Sequence, residues 1–272
     1  MMALRLTRWL VAPMLASLAA PVLADGAPSL PTSMPREWIV TVGFQVYGAP
    51  TFEGAKGYGA YATPRFKIQA AGTKEFATLP GDGYSFTVLS TDNFRFGAAG
   101  QIKRERKEAD SSALRGLGDV DWAIEAGVFA EYWPADFVRA RAELRRGLHG
   151  HDGVVAELST DLFVKPLPRL TWTLGPRLSL VSDAYMQTYF GIDATQSLRS
   201  GLKQFNASGG AKSVGVASSA SYDWTPQIAT VVYGEYDRLL GDASDSPLVK
   251  DRGSADQFTF GAGMTYKFPV AW

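Results

Sequence analysis

The chain has 272 residues, with 27 basic against 27 acidic side chains and no cysteine. Balanced charge supplies no global field to draw nucleic acid or an anionic surface as partner. Without cysteine there are no disulfides, no thiol catalysis and no thiolate metal site.

The first 24 residues read as a secretory signal peptide: Arg5 and Arg8 are basic, Trp9 to Leu23 is apolar, and Val22-Leu23-Ala24 offers small-residue cleavage before Asp25. The alternative is an uncleaved anchor, but the run is short for a spanning helix and broken by Pro13 and Pro21. Residues 25–36, with Pro28, Pro31 and Pro35, lack the apolar content to pack and read as a periplasmic leader. Beyond them every hydrophobic stretch is interrupted within a few positions, which excludes a helical membrane protein.

From Trp38 the dominant period is two. The alternation predicts strands over 37–47, 59–70, 75–80, 84–90, 94–103, 120–132, 137–146, 154–164, 170–182, 209–222, 227–238 and 257–268. The third and its tight link through Gly81 and Gly83 are the weak point, so the count is twelve, or ten without that hairpin. Alternation alone suits a soluble sandwich as well as a membrane barrel turned inside out. Loop lengths discriminate: links after even-numbered strands are short, those after odd-numbered strands mostly long, as periplasmic turns and outer loops are in outer-membrane barrels. An all-β, antiparallel, up-and-down transmembrane barrel over 37–272 is the expectation, and lipid is its surroundings. Such a closed structure leaves no strand edge unpaired and can stand without disulfides.

The last strand carries Phe258, Phe260, Ala262, Met264, Tyr266, Phe268, Val270 and Trp272 on one parity. An alternating strand ending in an aromatic resembles the form read by the barrel-assembly machinery, so Tyr266, Phe268 and Trp272 are candidate assembly residues and that machinery a candidate partner. Trp38, Trp122, Tyr132, Trp133, Trp172, Tyr222, Trp224 and Trp272 fall near strand ends. Aromatic girdles at the headgroup level account for the set, and core packing for any single member.

On 137–146, apolar Val138, Ala140, Ala142 and Leu144 alternate with Arg139, Arg141, Glu143 and Arg145. With odd positions inward, a four-residue turn at 133–136 sets Glu131 opposite Arg139, Phe129 opposite Arg141, Gly127 opposite Glu143 and Glu125 opposite Arg145. Glu157 and Asp161 share the inward parity, giving a charge ladder on one lumen wall. It serves either as a salt-bridged filling or as a selectivity device for ions. Further inward candidates are Arg65, Lys67, Arg95, Lys103 and Arg177.

Catalysis finds little support. His149 and His151 with Asp152 form a weak metal pattern in what reads as a surface loop, and no Gly-x-Ser-x-Gly elbow, phosphate loop or dinucleotide fingerprint occurs. No catalytic residue, cofactor or metal is assigned.

Leu114-Arg-Gly-Leu-Gly-Asp119, Ala126-Gly-Val-Phe-Ala-Glu-Tyr132, Tyr185-Met-Gln-Thr-Tyr-Phe-Gly-Ile192, Ser200-Gly-Leu202, Leu239-Leu-Gly-Asp-Ala-Ser-Asp-Ser-Pro-Leu-Val249 and Tyr266-Lys-Phe268 together resemble the MipA/OmpV family of outer-membrane proteins. The Pro269 to Trp272 extension departs from it, since members commonly stop at the Phe. The resemblance implies a non-enzymatic barrel tied to murein-synthesis scaffolding, with a lytic transglycosylase and a murein synthase as partners, or to osmotic and antibiotic response or adhesion. It carries a fold more firmly than a function. Two of these segments lie in the longest outer loops. Tyr189, Phe190 and Gly191 look like an aromatic turn, and Asp242, Asp245, Ser246 and Pro247 like a capped turn. Together they are expected to fold inward and constrict the barrel. A cation held by Asp242 and Asp245 is the lesser alternative.

Overall fold

A computed structural model describes residues 37–71 and 79–271. The expected signal peptide and leader, most of the expected strand over 75–80, and Trp272 lie outside these residues. Eleven strands form one meandering antiparallel sheet: β1 (Glu37–Pro50), β2 (Tyr58–Ala70), β3 (Tyr84–Ser90), β4 (Phe94–Lys103), β5 (Ala123–Ala135), β6 (Val138–Gly147), β7 (Val154–Leu167), β8 (Leu170–Val181), β9 (Gly210–Asp223), β10 (Ile228–Leu239) and β11 (Asp256–Ala271). Each pairs with its sequence neighbour except across the β2–β3 link, and β1 also pairs with β11, so the sheet runs from β2 round to β3. The twelve-strand expectation is met to within one strand. Of the expected third strand, Leu79 and Pro80 are described, and neither belongs to a strand.

Even-numbered residues meet even-numbered partners throughout the regular ladders: Phe44 lies opposite Met264 and Pro64, Val128 opposite Leu144, Leu158 opposite Leu178. One parity therefore holds one face around the whole sheet. That face is apolar and exposed, with Phe44, Phe66, Phe86, Leu144, Leu162, Leu174, Val216, Val232 and Phe260 among its members. A soluble protein would bury these side chains. An outward band of this kind is the lipid-facing belt of a transmembrane barrel, and the odd positions fill the lumen.

Links 91–93, 136–137, 168–169 and 224–227 close one end of the sheet, while 51–57, 104–122, 148–153, 182–209 and 240–255 crowd the other. The 182–209 link carries helices α1 (Asp183–Phe190) and α2 (Ala194–Ser200), and 240–255 carries α3 (Gly241–Asp245) and α4 (Pro247–Arg252). The unbroken run of antiparallel pairings from β2 round to β3 also makes these two strands point the same way. They approach at the seam, where the Tyr84 hydroxyl donates to the Pro64 carbonyl oxygen at 3.4 Å. Pro64 has no N–H to offer a ladder, which suits a strand at this margin.

Two sequence expectations need correction. The turn between β5 and β6 is the two residues 136–137 rather than 133–136, because a bulge between Tyr132 and Ala135 takes up Trp133 and Pro134. The register moves by two, setting Glu131 opposite Arg141, Phe129 opposite Glu143 and Gly127 opposite Arg145. A shift by two preserves the face, so Glu125, Glu131, Arg139, Arg141, Glu143 and Arg145 still point inward. Trp133 is not a girdle residue either: it is buried in the lumen with Leu79 and Phe163, whereas Trp122, Tyr132, Trp172 and Trp224 are exposed.

Candidate functional site

The lumen wall from β4 to β8 is a continuous ion-pair network. Arg95 donates to Glu131 at 3.1 and 2.6 Å, and the Trp133 indole N–H adds a bond of 2.6 Å to the same carboxylate. Arg141 bridges Glu131 (3.0 Å) and Glu143 (2.8 and 2.5 Å) and lies over the Phe129 ring at 4.3 Å. Arg145 continues from Glu143 to Glu125 (3.1 Å), and His151 Nε2 lies 3.2 Å from the other Glu125 oxygen. Arg139, 0% exposed, holds Asp161 at 3.0 and 2.7 Å and stands 3.8 Å from Glu131, while Arg177 donates to Asp161 at 2.7 Å. Despite the register shift, Glu131–Arg139 and Glu125–Arg145 still meet, since a long guanidinium side chain reaches one rung diagonally. Glu157 belongs to the network at its margin, accepting from Ser179 at 3.0 Å and lying 3.9 Å from Arg145. The planar guanidinium groups of Arg139, Arg141 and Arg145, each serving two or three carboxylates, satisfy charges which, left alone away from water, would cost several kcal/mol each, on the order of 3–5.

The opposite wall, from β10 through β11 and β1 to β2, is built differently. Thr41, Gly43, Tyr47, Tyr61, Thr63, Tyr233, Thr259, Gly261, Gly263 and Thr265 face inward and are all half-buried. Arg65 and Lys67 also lie on this side, the first bonded to the 79–83 segment described below. Gly43 is required by close approach: a Cβ there would lie 2.3 Å from the Met264 carbonyl oxygen.

A compact cap of packed loops sits at the long-loop end. Tyr185, Met186, Tyr189 and Phe190 of α1 pack with Val155, Val181, Ala207, Leu239, Ala243 and Val249. A second cluster joins Phe52, Leu114, Leu117, Ile192, Leu202 and Leu248 from four loops. The two segments with family character meet here. Ser246 is fully buried, its hydroxyl donating to the Phe190 carbonyl at 2.7 Å and accepting from Leu248 N at 3.3 Å as the N-cap of α4, which Pro247 begins. The expected aromatic turn is instead the C-terminal turn of α1, ended at Gly191, whose N–H donates to Gln187 O at 3.0 Å. Asp242 accepts from Ser208 N at 2.7 Å, and Asp245 pairs with Lys250 at 2.8 Å in the open. Among the described residues no group of acidic or His side chains is arranged to hold a metal ion.

Between cap and lumen lies a polar junction that sequence reasoning reached only through Lys103. The Glu53 carboxylate accepts from the Tyr185 hydroxyl at 3.0 and 2.9 Å and from Lys212 at 2.8 Å, with Lys103 at 3.0 Å. Burial disfavours its charge, but Lys103 and Lys212 outweigh that and hold the carboxyl well below the usual range. Burial and the neighbouring Glu53 push the Tyr185 hydroxyl well up. His151, expected in a surface loop, is buried against the Tyr185 and Tyr189 rings at 5.1 and 5.6 Å, while His149 is exposed and lies tilted against Trp122 at 4.8 Å. Nothing in a single loop sequence announces which of two histidines turns inward.

Residues 42–268 match the family model described as MltA-interacting protein MipA. Over 163 residues the chain is 29% identical to "Putative outer membrane protein YiaT" of Escherichia coli (strain K12); the match takes in 58% of this chain and 63% of that protein, less than two thirds of its length. Likeness to solved structures is to outer-membrane barrels. The COG4313 outer membrane channel from Pseudomonas putida F1 is 9% identical with a TM-score of 0.41, covering 90% of this chain and all of that one. The outer membrane channel DcaP of Acinetobacter baumannii is 12% identical with a TM-score of 0.36, covering 85% and 96%. Such distant likeness carries no argument about activity.

Proposed function

The chain belongs to the MltA-interacting protein MipA family and is an outer-membrane barrel; from that premise we propose that it works as a closed, non-enzymatic barrel holding periplasmic murein-remodelling enzymes at the membrane. The observation that carries this reading is the state of the lumen charges: Arg139, Glu131 and Asp161 are at most 1% exposed and are spent on one another rather than offered to a solute. With the cap over the long-loop end, the surface left for a partner is the short-turn end, which faces the periplasm by the loop asymmetry of such barrels. Phe137, Leu167 and Trp224 are exposed on three successive turns there.

The test is copurification of a lytic transglycosylase with the tagged protein from detergent-extracted outer membranes. Retention should survive replacement of residues 183–208 by a short Gly-Ser link and be lost on Phe137→Ser with Leu167→Ser. The reverse pattern, in variants that keep the compact barrel on gels, would contradict the assignment. A second reading, a narrow pore for small solutes, is favoured by one observation, the half-exposed hydroxyl and glycine wall from β10 to β2.

A further inference from the structure

β2 and β3 point the same way, so no tight hairpin joins them. Ahead of β3, the described residues Leu79–Gly83 lie inside the lumen. Leu79 is buried against the inward Trp133 and Phe163. Asp82 accepts from Arg139 at 2.7 and 3.1 Å and from Leu79 N at 2.8 Å. From the opposite wall Arg65 donates to the carbonyl oxygens of Leu79 (3.1 Å), Pro80 (3.2 Å) and Asp82 (3.3 Å). Pro80 and Gly81 face Thr173, Arg177, Ser219, Tyr233 and Glu235, and the space left between is about 10 Å³, near the least that holds one water.

The segment thus bridges the two walls, held by Arg65 on one side and Arg139 on the other. Its anchoring is unlike that of the cap. Leu79 is its one deeply buried apolar side chain, and the rest is a salt bridge plus side-chain bonds to backbone carbonyls, next to a half-exposed wall. Polar anchors of this kind come loose one at a time, whereas a packed core opens only as a unit. Releasing Asp82 leaves Arg139 still satisfied by Asp161, so the wall survives the strap's departure.

We propose that Leu79–Gly83 is a strap, clamped by Arg65 and Arg139, whose release opens a passage for small polar solutes along the β10–β11–β1–β2 wall. This rests on the closed-barrel reading for its resting state and is independent of any protein partner.

Planar-bilayer recording and liposome swelling with glycine or a pentose would compare the wild type, Asp82→Ala and Asp82→Ala/Arg65→Gln, each checked for the compact, heat-modifiable barrel. Conductance is expected to rise by at least about tenfold from wild type to the double variant. A folded double variant as silent as the wild type overturns the strap and leaves the closed barrel standing. A wild type that already conducts like the double variant overturns both. Should the double variant fail to fold, the near-isosteric Asp82→Asn substitutes for it: a smaller rise supports the strap, and no rise refutes it.

Discussion

The two halves of the lumen share one strand alternation and one outward apolar belt, yet they fill their inner faces in opposite ways. From β4 to β8 many inward positions are long and charged, and Arg139, Arg141 and Arg145 each span two or three carboxylates in a buried network. From β10 to β2 threonine, tyrosine and glycine stand among fewer charged side chains, Arg65, Lys67, Glu235 and Asp237, and apart from the buried Gln45 and Gln257 most of the wall stays half-buried. Period decides which residues enter the lumen, and side-chain reach and charge decide whether the lumen there is dry.

Perturbing the two walls should give very different costs. Arg139→Ala strips Asp82 of its paired cation and removes one of those serving Asp161 and Glu131, so urea unfolding in lipid vesicles should show a loss of about 3–5 kcal/mol. Ser246→Ala removes the bond to Phe190 O and the α4 cap. It should cost about 1–2 kcal/mol, read as faster amide exchange in 183–190 and 247–252 with the sheet unchanged.

Acid sharpens the contrast between cap and wall. Glu53 has a depressed folded-state pKa, so its contribution is complete above the ordinary glutamate value of about 4.3 and fades only as pH falls through the lowered one. Tyr185 fluorescence and cap exchange should therefore stay native well below that value, and Glu53→Gln should abolish this acid resistance. Smallest of all, Thr265→Ala on the hydroxyl wall should change stability by no more than about 0.5 kcal/mol.

Most strands and their inward face were legible in the sequence because a period of two is local: the ranges for β3 and β4 match the structure, and others differ by a few residues at their ends. The charge ladder was legible for the same reason, as Glu125, Glu131, Arg139, Arg141, Glu143, Arg145, Glu157 and Asp161 share a parity. Its rungs were not, since the bulge at Trp133 and Pro134 changes the register without changing any face. The cap junction was illegible too. Glu53, Lys103, Tyr185 and Lys212 come from four separated segments, and nothing in Leu79-Pro-Gly-Asp-Gly83 distinguishes a hairpin in the wall from a strap within it.

The dry and wet walls can be told apart directly because the chain has no cysteine of its own. Single variants Thr173→Cys and Ser179→Cys on the buried β8 face, and Thr259→Cys and Thr265→Cys on β11, would be exposed to a small water-soluble maleimide in intact proteoliposomes. The account predicts rapid labelling on β11 and protection on β8. Equal labelling of both walls would contradict it.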